Sequence, residues 1–384
     1  MMILTRARAR VRRVCLLIDQ LGRGGAEKQV VVLAEGLRDQ GVDVCVLVLF
    51  EGGPRERELH AAGIRVIRLG LRRLSGAPWA AAGNAWAVGR LVRLLRRESP
   101  DVLHSFLTRG YLIGVPAGRL AGVPLVVSAR RDLAPARGPL LATAVRAANR
   151  MTDAVVTNAH AVASWTAQGE SVKMGKLAVI YNGLPNSAFE AVPPMPLAAD
   201  GPVLACVANL RPVKAHGDLL MAARGTDWTL ALAGEGPERP ALERDAARFG
   251  VDVRFLGSIA DVRPLLARAD AVVLPSLGEG LSNAIMEAMA AGRPVIATAV
   301  GGTPELLGGL PRRGLLVPPS APDALARAIT EVLAGRHPGL GENARTWART
   351  TFSTERMVTE HIRLYGEHLE RRAGIAISPD EPPA

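Results

Sequence analysis

The chain has 384 residues, 48% apolar and 22% charged, which is enough to bury two cores and excludes a disordered or collagen-like chain. Its net charge of +11 resides in residues 1–190, with 27 Lys and Arg against 14 Asp and Glu, while the remainder holds 20 against 22. Three Tyr and six Phe, not interleaved with the basic residues, exclude a stacking platform for nucleic acid, so an anionic acceptor or anionic membrane suits the basic half better.

Cys15, Cys45 and Cys206 each sit in an apolar run, with no CxxC or Cys/His ligand spacing. They read as small buried thiols of a reduced protein. No apolar run reaches the length of a membrane span, and the short run 14–18 after a basic start is no signal-peptide core. The expectation is a cytoplasmic protein, with at most peripheral contact to the inner face of the membrane.

From the start, short apolar runs alternate with helix-patterned segments, the pattern of βαβ units around a parallel sheet. Strands are expected at 14–18, 44–49, 64–69, 102–104, 125–128, 154–157 and 177–181. A helix is expected at 26–38, with Val30, Leu33, Ala34 and Leu37 inward, and another at 79–97 with a basic outer face. Between the first strand and its helix lie Gly24 and Gly25, whose missing side chains let a backbone approach a phosphate or sugar at a helix N-terminus. The segment 184–202 carries five prolines and reads as the interdomain linker, giving domains of 1–190 and 195–350.

The second half restarts the pattern. Strands are expected at 203–207, 228–233, 253–256, 271–274, 295–297 and 314–317. Helices are expected at 216–223, 240–249, 262–267, from Ser282 to 292, at 322–334 and through a tail at 341–370; residues 375–384 are expected to be disordered. After the first of these strands, Arg211 and Lys214 have the chemistry to clamp phosphate groups, the one as a fork and the other as a point charge. Gly234, in the sequence Gly-Glu-Gly, follows the next strand.

The most informative stretch is ADAVVLPSLGEGLSNAIMEAMAAGRPVIATAVGGTPEL, from 269 to 306. It reads as strand, Gly-containing loop, helix, strand and loop. Ser282 is the expected helix cap, and the free N–H groups at Leu281, Ser282 and Asn283 suit a phosphate. Two carboxylates flank that helix start, Glu279 in the loop and Glu287 one turn inside the helix. Each is either an ordinary solvated charge or a hydrogen-bond acceptor for sugar and ribose hydroxyls.

This stretch resembles the retaining GT-B glycosyltransferases of glycosyltransferase family 4, the "glycosyl transferases group 1". Glu279 and Glu287 have that family's E-x7-E spacing, and ADAVVLPS, EGLSNAIMEAMAAGRPVIAT and GGTPEL look like it almost throughout. The resemblance implies two Rossmann-like doubly wound domains facing a cleft, with a C-terminal helix at about 352–371 returning to the N-terminal domain. It implies transfer of a sugar from a nucleotide-diphosphate sugar, UDP before GDP, with retention of configuration. The acceptor would be a glycan or polyprenyl-linked hydroxyl of cell-envelope or polysaccharide synthesis.

Within that resemblance Arg211 and Lys214 stabilise the leaving diphosphate, Glu279 holds the sugar and Glu287 the ribose. Gly24, Gly25, Gly234, Leu281, Ser282 and Asn283 contact the donor. Arg130, standing where many members have histidine, and Arg131 are expected on the acceptor side; His104, at a strand end, reads either as a contact to sugar or acceptor or as a satisfied structural histidine. Asn209 occupies the family's usual arginine position, and Arg211 follows two residues later. No cofactor is implied, the nucleotide sugar being a co-substrate, and no metal, since no D-x-D occurs. The alternatives are a GT-B protein of different chemistry, such as a nucleotide-sugar epimerase or phosphorylase, and a non-catalytic anion-binding module.

Overall fold

The computed structural model describes residues 11–71, 78–133 and 138–374, with side chains described outside 78–85. The basic start at 1–10 and the tail 375–384 lie outside the described residues. Two units divide the chain. The first runs to Asn158 and includes Val162–Gly183 and the segment from Thr354; the second comprises Ala159–Ala161 and Leu184–Ser353.

The first unit is built on β1 (Arg13–Ile18), β2 (Asp43–Val48), β3 (Arg65–Arg68), β4 (Val102–Ser105), β5 (Leu125–Arg130), β6 (Ala154–Thr157) and β7 (Leu177–Val179). The order is β3-β2-β1-β4-β5-β6-β7, all parallel, with Leu16 in register with both Val46 and His104. Its helices are α1 (Gly25–Asp39), α2 (Glu56–Ala61), α3 (Pro78–Glu98), α4 (Thr108–Ala121), α5 (Pro139–Met151) and α6 (His160–Gly169).

The near-continuous apolar strands follow from covering on both faces. Alternate residues Val14, Leu16 and Ile18 pack with α1, whereas Cys15 and Leu17 pack with α3, α4 and α5. α4 lies close on the sheet because Gly114 and Gly118 have no side chain. A Cβ at Gly114 would come within 2.5 Å of Leu17, and one at Gly118 within 2.9 Å of Leu103. Sequence reading treats such glycines, with Pro116 among them, as breakers; tertiary close packing overrides that preference.

The second unit has β8 (Val203–Val207), β9 (Thr229–Ala233), β10 (Asp252–Gly257), β11 (Ala271–Leu274), β12 (Val295–Thr298) and β13 (Leu315–Val317). Its order is β10-β9-β8-β11-β12-β13, also parallel. Its helices are α7 (His216–Ala222), α8 (Arg239–Phe249), α9 (Arg263–Arg268), α10 (Asn283–Ala290), α11 (Thr303–Leu307), α12 (Pro322–Leu333) and α13 (Leu340–Thr351).

Two sequence expectations change. The proline-rich segment at 184–202 is not a free linker but belongs to the second unit from Leu184 onward. Its irregular backbone offers carbonyls that arginines satisfy, Arg263 bonding Ser187 O at 2.9 Å and Arg345 bonding Phe189 O at 2.6 Å. The helical tail is also two helices. α13 ends at Phe352, which is fully buried and whose carbonyl accepts from Leu184 N–H at 2.7 Å.

The second of them, α14 (Thr354–Arg372), clusters with the first unit and packs on α1. Met357, Val358 and Tyr365 enter the same core as Val30 and Leu33. Gly36 permits this approach, since a Cβ there would lie 2.4 Å from Val358.

Candidate functional site

In an open parallel sheet, the loops leaving the strands on either side of the point where the order reverses diverge and leave a crevice at the strands' C-terminal ends. In the second unit those strands are β8 and β11. Lys214 is carried by the segment after β8 and Glu279 by the segment after β11.

The two meet. Lys214 Nζ lies 2.6 Å from Glu279 Oε1, and Ser276 Oγ donates to the same oxygen at 2.6 Å. The Glu279 side chain is only 9% exposed and that of Lys214 23%, so the pair is partly withdrawn from solvent and screened less than a surface pair. Leu277 N–H donates to Val213 O at 2.8 Å, locking the two loops together backbone to backbone.

Lys214 is held at the end of a short 3-10 turn, Pro212–Lys214, whose fixed proline φ suits that position. Arg211 precedes the turn. Its backbone is tied to Asn209 O and Lys214 N, and its side chain is exposed, pairing with no carboxylate among the described residues. Behind the turn His216 is fully buried, and burial with the nearby Lys214 charge pushes its pKa down to about 4.

The wall beside β8 is backbone. Leu210 N–H donates to Glu235 O at 3.0 Å, and a Cβ at Gly234 would lie 1.9 Å from Ala208 O. Gly234 is therefore required by close strand-loop packing whatever else it does. On the other side α10 starts at Asn283, with Ser282 Oγ accepting from Ile285 N–H at 3.4 Å. Leu281 and Ser282 are buried; Asn283 and Glu287 are half-buried. Glu305 accepts from the backbone N–H of His160 (2.9 Å) and Ala161 (2.7 Å), which belong with it to the second unit.

In the first unit the reversal lies between β1 and β4. Gly24 is the N-cap of α1 and Gly25 its exposed first residue. Glu27 folds back over that start, and a Cβ at Gly24 would meet its carboxylate at 2.2 Å.

The three residues expected on the acceptor side, with a structural role also open for His104, are each engaged by partners inside this unit. His104 is fully buried, with Nδ1 2.7 Å from the Tyr365 hydroxyl, and burial beside His361 and Arg131 holds its pKa well below the usual value. Arg130 is 4% exposed. It bonds Glu170 (2.8 Å) and Asn149 (2.7 Å) and lies 3.6 Å over the Tyr111 ring, so its donors are spent on structure. Arg131 bonds Asn182 Oδ1 at 2.5 Å, and burial lowers its pKa to about 10.

Ser276 and His216 escape sequence reading as members of the site. The spacing of Ser276 three residues before Glu279 has the S-x-x-E form in which a hydroxyl and a carboxylate meet, and was the available signal.

Both halves of the chain match glycosyltransferase families: residues 201–335 match "Glycosyl transferases group 1", and residues 24–183 match "Glycosyl transferase 4-like domain". The chain is built from the two domains of a glycosyltransferase. Among its relatives, the lipopolysaccharide core biosynthesis glycosyltransferase LpsE of Rhizobium meliloti is 27% identical, over 66% of this chain and 69% of that protein. The 2-deoxystreptamine glucosyltransferase of Streptomyces kanamyceticus is 28% identical, over 65% and 74%.

Among solved structures, Anabaena HepE in complex with UDP has a TM-score of 0.78 at 22% identity, covering 92% of this chain and all of that one. Sucrose-phosphate synthase of Thermosynechococcus elongatus has a TM-score of 0.75 at 22% identity, covering 93% and 99%. These likenesses show the fold, which is GT-B. Family models and relatives thus agree on the glycosyltransferase class.

Proposed function

We propose that this protein is a retaining glycosyltransferase that takes a hexose from a UDP-sugar and passes it to a hydroxyl of a glycan or lipid-linked acceptor in envelope or polysaccharide synthesis. The observation that carries the reading is the Lys214–Glu279–Ser276 group at the strand ends of the second unit. It joins a cation suited to a diphosphate with a carboxylate suited to sugar hydroxyls. The UDP complexes of HepE, one with UDP-glucose, favour UDP as the donor nucleotide.

In this reading Lys214 and Arg211 stabilise the charge that develops on the leaving diphosphate, the electrostatic share of catalysis, without need of a metal. The N–H groups at Leu281, Ser282 and Asn283 add the positive end of the α10 dipole. Glu287 holds the ribose. Glu279 positions Lys214 and the sugar and is not a nucleophile; the phosphate oxygen itself accepts the acceptor's proton on the face from which it leaves. Gly24 and Gly25 are assigned to the donor, and Gly234 supports the wall beside it.

Isothermal titration with UDP, GDP and ADP in metal-free buffer tests the reading. Micromolar binding of UDP, weakened at least tenfold by Lys214→Ala, is expected from loss of a charge-assisted hydrogen bond of about 1.5–3 kcal/mol. Absence of binding to all three nucleotides would sink it.

A further inference from the structure

We propose that the outer face of α3, α4 and α5 in the first unit is a docking surface for an anionic lipid bilayer. This goes beyond the transferase reading and does not depend on it.

The three helices form one layer, since their buried residues share a single core with alternate strand residues. Along α3, α4 and α5 there are eight arginines and one acidic residue, Glu98, which is paired with Arg65 at 2.9 Å. The helices of the opposite face, α1, α2 and α14, hold seven Lys and Arg against nine Asp and Glu. The unit's positive charge is therefore sorted to one side. Arg90, Arg93, Arg146 and Arg150 pair with no carboxylate among the described residues.

Charge alone would fit any polyanion; the apolar side chains decide for a bilayer. Trp86 is 61% exposed, Leu120 64% and Leu140 87%. These are on the same three helices, and among the described residues of the unit only Met174 joins them as a strongly exposed large apolar side chain. Met174 lies in the turn that Lys176 ties to the end of α5 through the carbonyls of Asn149 and Thr152.

The Arg90 guanidinium stands 5.8 Å from the Trp86 ring centroid, and Arg96 bonds Leu120 O at 2.9 Å, so basic and apolar groups are interleaved. At the end of α5 a cavity of about 180 Å³ is lined by Arg146, Arg150 and Lys173, suited to a headgroup phosphate. Tryptophan prefers the headgroup level, leucine the acyl boundary, and arginine the phosphates while its stem remains apolar.

The test is flotation of the full chain with phosphatidylcholine vesicles, with and without phosphatidylglycerol, at low and high salt. The protein should float only with the anionic vesicles. Each arginine near the surface is worth about fivefold in binding, so R90Q/R93Q/R146Q/R150Q should lose at least about a hundredfold. The charge-preserving pair W86S/L140S should still bind at low salt and lose binding at high salt.

Equal flotation with neutral and anionic vesicles, flotation with neither, or a quadruple variant that binds like the parent would each overturn the proposal. So would binding to polyphosphate without binding to vesicles, which would reassign the face to a soluble polyanion. Circular dichroism confirms that each variant is folded, and the readout requires neither nucleotide binding nor turnover, so failure here is separate from failure of the transferase reading.

Discussion

Replacing Arg130 by Met removes the cation from a buried network and leaves its partners behind. The side chains of Arg130 and Glu170 are 4% and 7% exposed, so the orphaned carboxylate of Glu170 cannot recover its hydration. It retains Asn149 Nδ2 at 3.3 Å, while Asn149 Oδ1 loses its 2.7 Å donor and the Tyr111 ring its overlying guanidinium. Breaking one side of a buried pair costs about 3–5 kcal/mol, whereas replacing both partners by apolar groups is often neutral. R130M should therefore destabilise the first unit by about 3–5 kcal/mol, and R130M/E170M should recover most of that loss. The assay is urea unfolding followed by circular dichroism, with calorimetry to separate the transitions of two units. Equal loss in the single and double variants would refute the ion-pair account. A loss under about 1 kcal/mol together with abolished sugar transfer would show that Arg130 acts on substrate instead.

Gly234→Ala should lower stability by about 1–3 kcal/mol or shift the loop, because its Cβ would lie 1.9 Å from the Ala208 carbonyl; an unchanged Tm would contradict the close packing. Glu279→Gln should keep the fold but weaken UDP-sugar binding more than UDP binding, since the carboxylate is assigned to the sugar; equal weakening in parallel titrations would remove that role. His216 and His361 have pKa values pushed down to about 4 from 6.5, chiefly by burial. The unfolded chain then binds more protons than the folded one between those values, so stability is full above pH 6.5 and falls as pH drops toward 4. Each should cost about 2 kcal/mol at about pH 5. Melting temperatures across pH, with His216→Gln flattening the slope, check this.

The central strands were legible because they are covered on both faces and so appear as unbroken apolar runs, as at Val14–Ile18 and 271–274. The helix Thr108–Ala121 was not, because Gly114, Gly118 and Pro116 carry a local signal opposite to their tertiary role. The break at Phe352 was equally hidden, since it depends on Leu184, distant in sequence. At the site, Lys214 and Glu279 could be named from motif, but their contact and the bridging hydroxyl of Ser276 arise only when β8 and β11 become neighbours. The partners of Arg130 and His104 were hidden for a related reason. Polar residues at a strand end invite a functional reading, and only the fold shows that Glu170 and Tyr365 have already claimed them.

The placement of α14 has a consequence for biosynthesis. Met357, Val358 and Tyr365 complete the core that β1 and α1 begin, and the Tyr365 hydroxyl is the partner of His104. On the ribosome, the first unit to emerge must wait for α14, with the whole second unit translated in between. The usual N-terminal-first order of domain folding is thereby inverted. The second unit can close while nascent β1 to β7 still expose the apolar strip that α14 covers in the finished chain.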